Sequence, residues 1–145
     1  MRILGLDYGH KRIGLAFADE LGVACPIPAA VEASFGARMD HIASEIERRR
    51  PDMLLVGYPY NMDGSSGGKI AEVDEFIAKL KERFGLRVET SDERLSSFQA
   101  EQDMGAFSKR AKKSVSARRK YRKSGDIDSR SIAIVLQEYI DSEIS

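Results

Sequence analysis

The apolar positions follow two rhythms. Short, nearly continuous apolar runs stand at Ile3–Asp7 and Met53–Gly57, the pattern of strands covered on both faces. Arg12–Ala18 forms another strand, joined to the first by the polar turn Tyr8-Gly9-His10-Lys11, so the chain opens with a β-hairpin. Val23–Val31 reads as a third strand, and Pro26 and Pro28 assign it to an edge, because proline cannot donate to a ladder. Leu86–Ser91 alternates apolar and polar residues, as a strand with one solvated side does.

The other rhythm is helical. Met39, Ile42, Ala43 and Ile46 form one stripe over Gly36–Arg50, and Pro51 ends that helix. Ile70, Val73, Phe76, Ile77 and Leu80 do the same over Lys69–Phe84, with Gly85 as the stop. Asp92-Glu93-Arg94 leads into a short helix where Ser96 and Gln99 have capping-box spacing. The last helix runs from Asp126, read as its N-cap, to about Asp141, with Ile132, Val135, Leu136, Tyr139 and Ile140 inward. Hairpins followed by alternating strands and helices predict an α/β fold: a mixed sheet with helices on both faces, Ile3–Asp7 and Met53–Gly57 side by side at its centre.

The 145 residues predict a single domain spanning 1–145, long enough to bury roughly 70% of its unfolded surface. No apolar run approaches the ~20 residues of a membrane span. The apolar start is too short for a signal peptide, so a cytoplasmic location is expected. One cysteine, Cys25, excludes an internal disulfide and any multi-cysteine zinc site. The net charge is zero, yet nine basic residues and no acidic ones lie between Lys109 and Lys123, leaving the remainder with a net charge of minus nine. Gly105–Gly125 lacks apolar periodicity and reads as a mobile, phosphate-tracking arm or, alternatively, a solvated loop. Tyr121 is its one aromatic between Lys109 and Lys123, which argues against base stacking.

Three carboxylate positions could carry chemistry. Asp7 follows a buried strand, where sheets present ligands, although Asp also starts turns. Asp128 stands on the buried stripe of the last helix, where a carboxylate must be solvated by a cleft, paired or metal-bound. Asp92 and Glu93 end the last strand, where either could complement a helix N-terminus. Strand parity puts Asp92 on the Leu86/Val88 side and favours it as the inward group. Three carboxylates converging on Mg²⁺ or Mn²⁺ would suit phosphodiester hydrolysis by metal-activated water. With only His10 and His41 present, no Ser-His-Asp or Cys-His constellation is readable. His41 is expected to be solvated and His10 to be a surface turn residue. The loop Asn61–Gly68 could bind a phosphate at a helix start, but Asp63 and Ile70 exclude a P-loop.

These segments together resemble the YqgF/RuvX family of pre-16S rRNA nucleases and Holliday junction resolvase homologues. The matching stretches are Leu6-Asp7-Tyr8-Gly9-His10-Lys11-Arg12-Ile13-Gly14, Val56-Gly57-Tyr58-Pro59 with Asn61-Met62-Asp63-Gly64-Ser65, Asp92-Glu93-Arg94-Leu95-Ser96-Ser97, and Ile127-Asp128-Ser129. The resemblance implies an RNase H-like fold with a five-stranded mixed sheet and a metal-dependent nuclease. It puts the catalytic, metal-binding acids at Asp7, Glu93 and Asp128, choosing Glu93 over Asp92. The family's basic segment before the last helix matches 109–123, and the expected nucleic-acid contacts are Lys11, Arg12, Lys112, Lys113, Arg118, Arg119 and Lys123. The implied cofactor is Mg²⁺ or Mn²⁺, and the implied partners are pre-rRNA or branched DNA and pre-ribosomal particles, with the protein a monomer or weak homodimer. The sequence departs from the family pattern mildly at Tyr58 and at Ser96-Ser97. Ser131 stands where RuvC-type resolvases carry a further acid, so this site has fewer ligands. Two rivals remain: Asp7-Tyr8-Gly9 also resembles the first phosphate motif of actin-like ATPases, which need two such domains, and a non-catalytic nucleic-acid-binding module would share the same fold.

Overall fold

The computed structural model describes residues 1–59, 67–92 and 125–144. Five strands form one sheet: β1 (Ile3–Asp7), β2 (Ile13–Ala18), β3 (Ala24–Ala30), β4 (Met53–Tyr58) and β5 (Arg87–Asp92). Their spatial order is β3-β2-β1-β4-β5. The β1–β2–β3 meander is antiparallel, while β4 pairs with β1, and β5 with β4, in parallel. The two apolar runs are thus central neighbours, as their burial demands, and the proline strand is an edge. The described helices are α1 (Phe35–Arg49), α2 (Gly67–Phe84) and α3 (Asp126–Ile144).

Alternation along β1 and β4 divides the core in two. Leu4, Leu6, Leu54 and Val56 face Met39 and Ile42 of α1 and Val73, Phe76 and Leu80 of α2. Ile3, Met53 and Leu55 face Ile132, Val135, Leu136 and Ile140 of α3. Gly5 shares this second face; a Cβ there would lie 3.0 Å from Ile132 Cγ1, so its lack of a side chain lets α3 lie close on the sheet.

α1 begins at Ser34, whose Oγ accepts from the Ala37 N–H at 3.1 Å, and ends at Arg50 in the left-handed region, φ 49°. The α3 start differs from the sequence expectation. Asp126 is exposed in the first turn, and Gly125, at φ +80°, stands before it. The Gly125 carbonyl accepts from the Ser129 N–H at 2.9 Å. A Cβ on Gly125 would meet Ala29 Cβ at 2.4 Å, so only glycine fits where the start of α3 packs on β3.

Candidate functional site

The C-terminal ends of β1, β4 and β5 open on one edge of the sheet, as parallel strands must. Asp7 is the last residue of β1 and is partly buried. It pairs directly across the antiparallel ladder with Gly14 of β2, so the two residues point to the same face. That face is the α3 face, shared by Ile3, Gly5 and Asp7 along β1.

Gly14 is the seat of Asp128. A Cβ built on Gly14 would lie 2.4 Å from the Asp128 carbonyl carbon and 2.7 Å from Asp128 Cβ. The helix start therefore rests on bare strand backbone, which places Asp128, from the far end of the sequence, against the β2 residue that pairs with Asp7. Two more features fix that approach. The step from Ile13 to Leu15 on β2 faces the longer step from Ala30 to Ile27 on β3, a bulge holding Pro28 and Ala29. At this break the Leu15 N–H donates to Ser129 Oγ at 3.1 Å in a buried contact.

Asp128 is only partly buried, and Arg12 Nε donates to its Oδ2 at 3.0 Å, with the two side chains 30% and 32% exposed. The expectation of a cleft-solvated or paired carboxylate thus holds in both respects. Gly9, His10, Lys11, Arg12 and Asp128 line an open cleft of about 270 Å³.

The Tyr8–Lys11 turn that shapes this cleft is bolted to the opposite face. The Tyr8 ring stacks near Phe76, centroids 4.9 Å apart, and Lys69 Nζ donates to the Tyr8 carbonyl at 3.1 Å. His10 pairs with Glu72 at 3.0 Å while remaining largely exposed. The buried Arg38, 6% exposed, donates to the carbonyls of Glu32 at 2.6 Å and His10 at 3.1 Å. His41 is not simply solvated as its helix position suggested: its Nδ1 lies 2.8 Å from Glu32 Oε2 and its side chain is 22% exposed.

Asp92 lies on the other face of the sheet from Asp7 and Gly14. It pairs with Tyr58, as Val88 pairs with Leu54, and those residues pack toward α1 and α2. The parity assignment of Asp92 to the Val88 side is correct, and that side is opposite the one on which Asp128 rests against Gly14. Glu93 lies outside the described residues, as do Lys112, Lys113, Arg118, Arg119 and Lys123. Lys11 is exposed at the cleft and Arg12 is committed to Asp128. Among the described residues no group of three His, Cys, Asp or Glu side chains has metal-site geometry. None of the described helices is long and apolar enough to cross a membrane.

Sequence reasoning missed the seat at Gly14 and the pairing of Arg12 with Asp128. The signal for Gly14 was present, since a glycine inside the apolar run Ile13-Gly14-Leu15 marks a close backbone approach. No local pattern pairs Arg12 with a carboxylate from the last helix.

Comparison with known proteins extends these observations. Residues 1–142 match the family model RuvX, described as Holliday junction resolvase. A protein of Opitutus terrae named "Putative pre-16S rRNA nuclease" is 44% identical over 142 residues, covering 97% of this chain and 92% of that protein. One of the same name from Trichormus variabilis is 39% identical over 139 residues, covering 95% and 86%. Among solved structures, T. thermophilus RuvC in complex with Holliday junction substrate is similar with a TM-score of 0.60 at 15% identity, covering 100% of this chain and 97% of that one. The Fowlpox virus resolvase in complex with junction DNA follows at 0.55 and 14% identity, with full coverage of both chains. These likenesses and the strand order give the fold as RNase H-like.

Proposed function

Because the chain belongs to the RuvX family, we propose that it is a divalent-metal-dependent endonuclease that hydrolyses phosphodiester bonds in the 5′ maturation of pre-16S rRNA. The observation that carries this reading is the seating of Asp128 on Gly14, directly across from Asp7. Two carboxylates from opposite ends of the sequence are thereby directed to the same face at the open edge of the sheet, and neighbouring partly buried acids favour a cation between them.

The donor set fits Mg²⁺ or Mn²⁺, which favour hard oxygen ligands. Asp7, Asp128 and Glu93 would hold the ion. Asp92 lies on the opposite face of the sheet, which supports Glu93 as the third acid. A divalent ion bound there supplies Lewis-acid polarisation of the phosphoryl group and activation of the attacking water. The protein's own residues do the rest. Asp7, at the end of a central strand, keeps its carboxylate at a fixed depth. Lys11 meets the substrate backbone at the mouth of the cleft, and the turn anchored by Arg38 and Lys69 holds that mouth in shape. The cations of Lys112, Lys113, Arg118, Arg119 and Lys123 grip phosphates without reading sequence.

A pre-rRNA substrate is supported by the names of relatives up to 44% identical, and it implies work in the cytoplasm on pre-ribosomal particles. The second reading, cleavage of branched DNA, is favoured by the family's own description. A cleavage panel separates them: pre-16S leader RNA, single strands and four-way junctions, each with Mg²⁺ and with Mn²⁺. Site-specific cutting of the leader with intact junctions supports the first reading. Junction resolution with an untouched leader supports the second, and no cutting of any substrate overturns both.

A further inference from the structure

Arg12 holds Asp128 by only part of its guanidinium. Its Nε donates to Asp128 Oδ2 at 3.0 Å, while its terminal amino groups make no hydrogen bond among the described residues. Those groups belong to a side chain that lines the open cleft with Gly9, His10, Lys11 and Asp128. A guanidinium edge of this kind matches the oxygens of a phosphate two at a time. A divalent cation and the guanidinium, by contrast, are rivals for one carboxylate oxygen and repel each other at contact distance.

We propose that Arg12 is a latch on the metal site. In the free protein it holds Asp128 Oδ2, and a backbone phosphate of the nucleic acid draws the guanidinium away and releases that oxygen to the divalent cation. The intermediate exposure of the pair suits an exchange of partners. A fully buried pair would leave an uncompensated charge when opened, and a fully exposed one would not hold against water. Arg12 is thus a positioning residue: it touches the phosphate backbone and acts on the metal through Asp128. Metal and nucleic acid then bind cooperatively, each raising the other's affinity by the same factor, and the site stays poorly loaded until a polyanion is in the cleft. This inference rests on the nuclease reading, because it requires Asp128 to be a metal ligand.

The test is Mn²⁺ binding to the full chain, followed by the electron paramagnetic resonance of the free ion. It is measured alone, with a nuclease-resistant phosphorothioate oligonucleotide, and with an uncharged methylphosphonate oligomer, each oligomer's own Mn²⁺ uptake being subtracted. Wild-type protein should bind Mn²⁺ about tenfold more tightly with the phosphorothioate, a typical coupling between linked sites, and no more tightly with the methylphosphonate. Arg12→Gln should bind Mn²⁺ about tenfold more tightly than wild type without any oligonucleotide and lose most of the further gain. Arg12→Lys keeps the charge but loses the fork, so its gain should be smaller than that of wild type. If Arg12→Gln binds Mn²⁺ no more tightly than wild type, while Asp128→Asn still abolishes binding, the latch is wrong and the ligand reading stands. If Asp128→Asn binds Mn²⁺ as wild type does, both are wrong. Should thermal melting reveal Arg12→Gln to be unfolded, Arg12→Lys decides: a gain equal to that of wild type overturns the latch.

Discussion

At the scale of single residues, the site depends on an atom that is missing. Gly14 has no Cβ, and one added there would stand 2.4 Å from the Asp128 carbonyl carbon. That neighbour is backbone and cannot swing aside. Gly14→Ala should therefore cost about 3 kcal/mol, at the upper end for overpacking, read from urea midpoints, and should weaken Mn²⁺ binding by pushing Asp128 away from Asp7. A stable Gly14→Ala protein with wild-type Mn²⁺ affinity would mean that the seat is not what aligns the acids. Asp7 and Asp128 were legible in the sequence because each breaks a local rule: one ends an apolar strand with a charge, the other puts a charge on an apolar stripe. Parity placed Asp92 on the Val88 side correctly but could not choose between it and Glu93, for a physical reason. Both faces of this sheet are covered, so the apolar side of β5 is not the only inward side, and one-strand parity cannot tell which face the other strands use for the site.

At the scale of elements, the decisive contact is α3 on β2. The Ser129 hydroxyl accepts from the Leu15 N–H where the β2–β3 ladder is broken. Ser129→Ala leaves a buried donor unpaired, which should cost about 2 kcal/mol and loosen the first turn of α3; hydrogen exchange at the Leu15 amide reads it directly. The edge role of β3 was legible from its prolines and the α1 stripe from its period. The interlocking of α3 with β2 was not, because it depends on a bulge and on two glycines far apart in sequence. α1 carries a separate strain at its end: Arg50 adopts φ 49° with its N–H on the Ile46 carbonyl at 2.8 Å. Arg50→Gly should raise stability by about 1 kcal/mol, because glycine adopts that conformation without the Cβ penalty. A fall in melting temperature would contradict this.

At the scale of the whole molecule, charge is segregated. Nine cations lie between Lys109 and Lys123 on a chain of zero net charge. If about five of them meet phosphates, the logarithm of duplex affinity should fall with the logarithm of salt at a slope near −4.5. Replacing Lys112, Lys113, Arg118 and Arg119 by alanine should flatten that slope; an unchanged slope would move the binding surface to the body. Acid stability is set elsewhere. Burial pushes the Glu45 carboxyl up, but the bonds from Arg48 and Arg49 outweigh it and leave it below its ordinary value. A carboxyl lowered in this way stabilises the fold above its unfolded pKa, and that contribution is lost as pH falls through the folded value. Stability should therefore decline from about pH 5 downward, and less steeply in Glu45→Gln. The central claim concerns the acids at the sheet edge, and cleavage of labelled pre-16S leader RNA by wild type and Asp7→Asn, with Mg²⁺ and with chelator, tests it most directly. Wild type should cut only with Mg²⁺, and Asp7→Asn should lose about a hundredfold or more in rate at an unchanged melting temperature. Cutting by Asp7→Asn at the wild-type rate, or undiminished cutting in chelator, would contradict it.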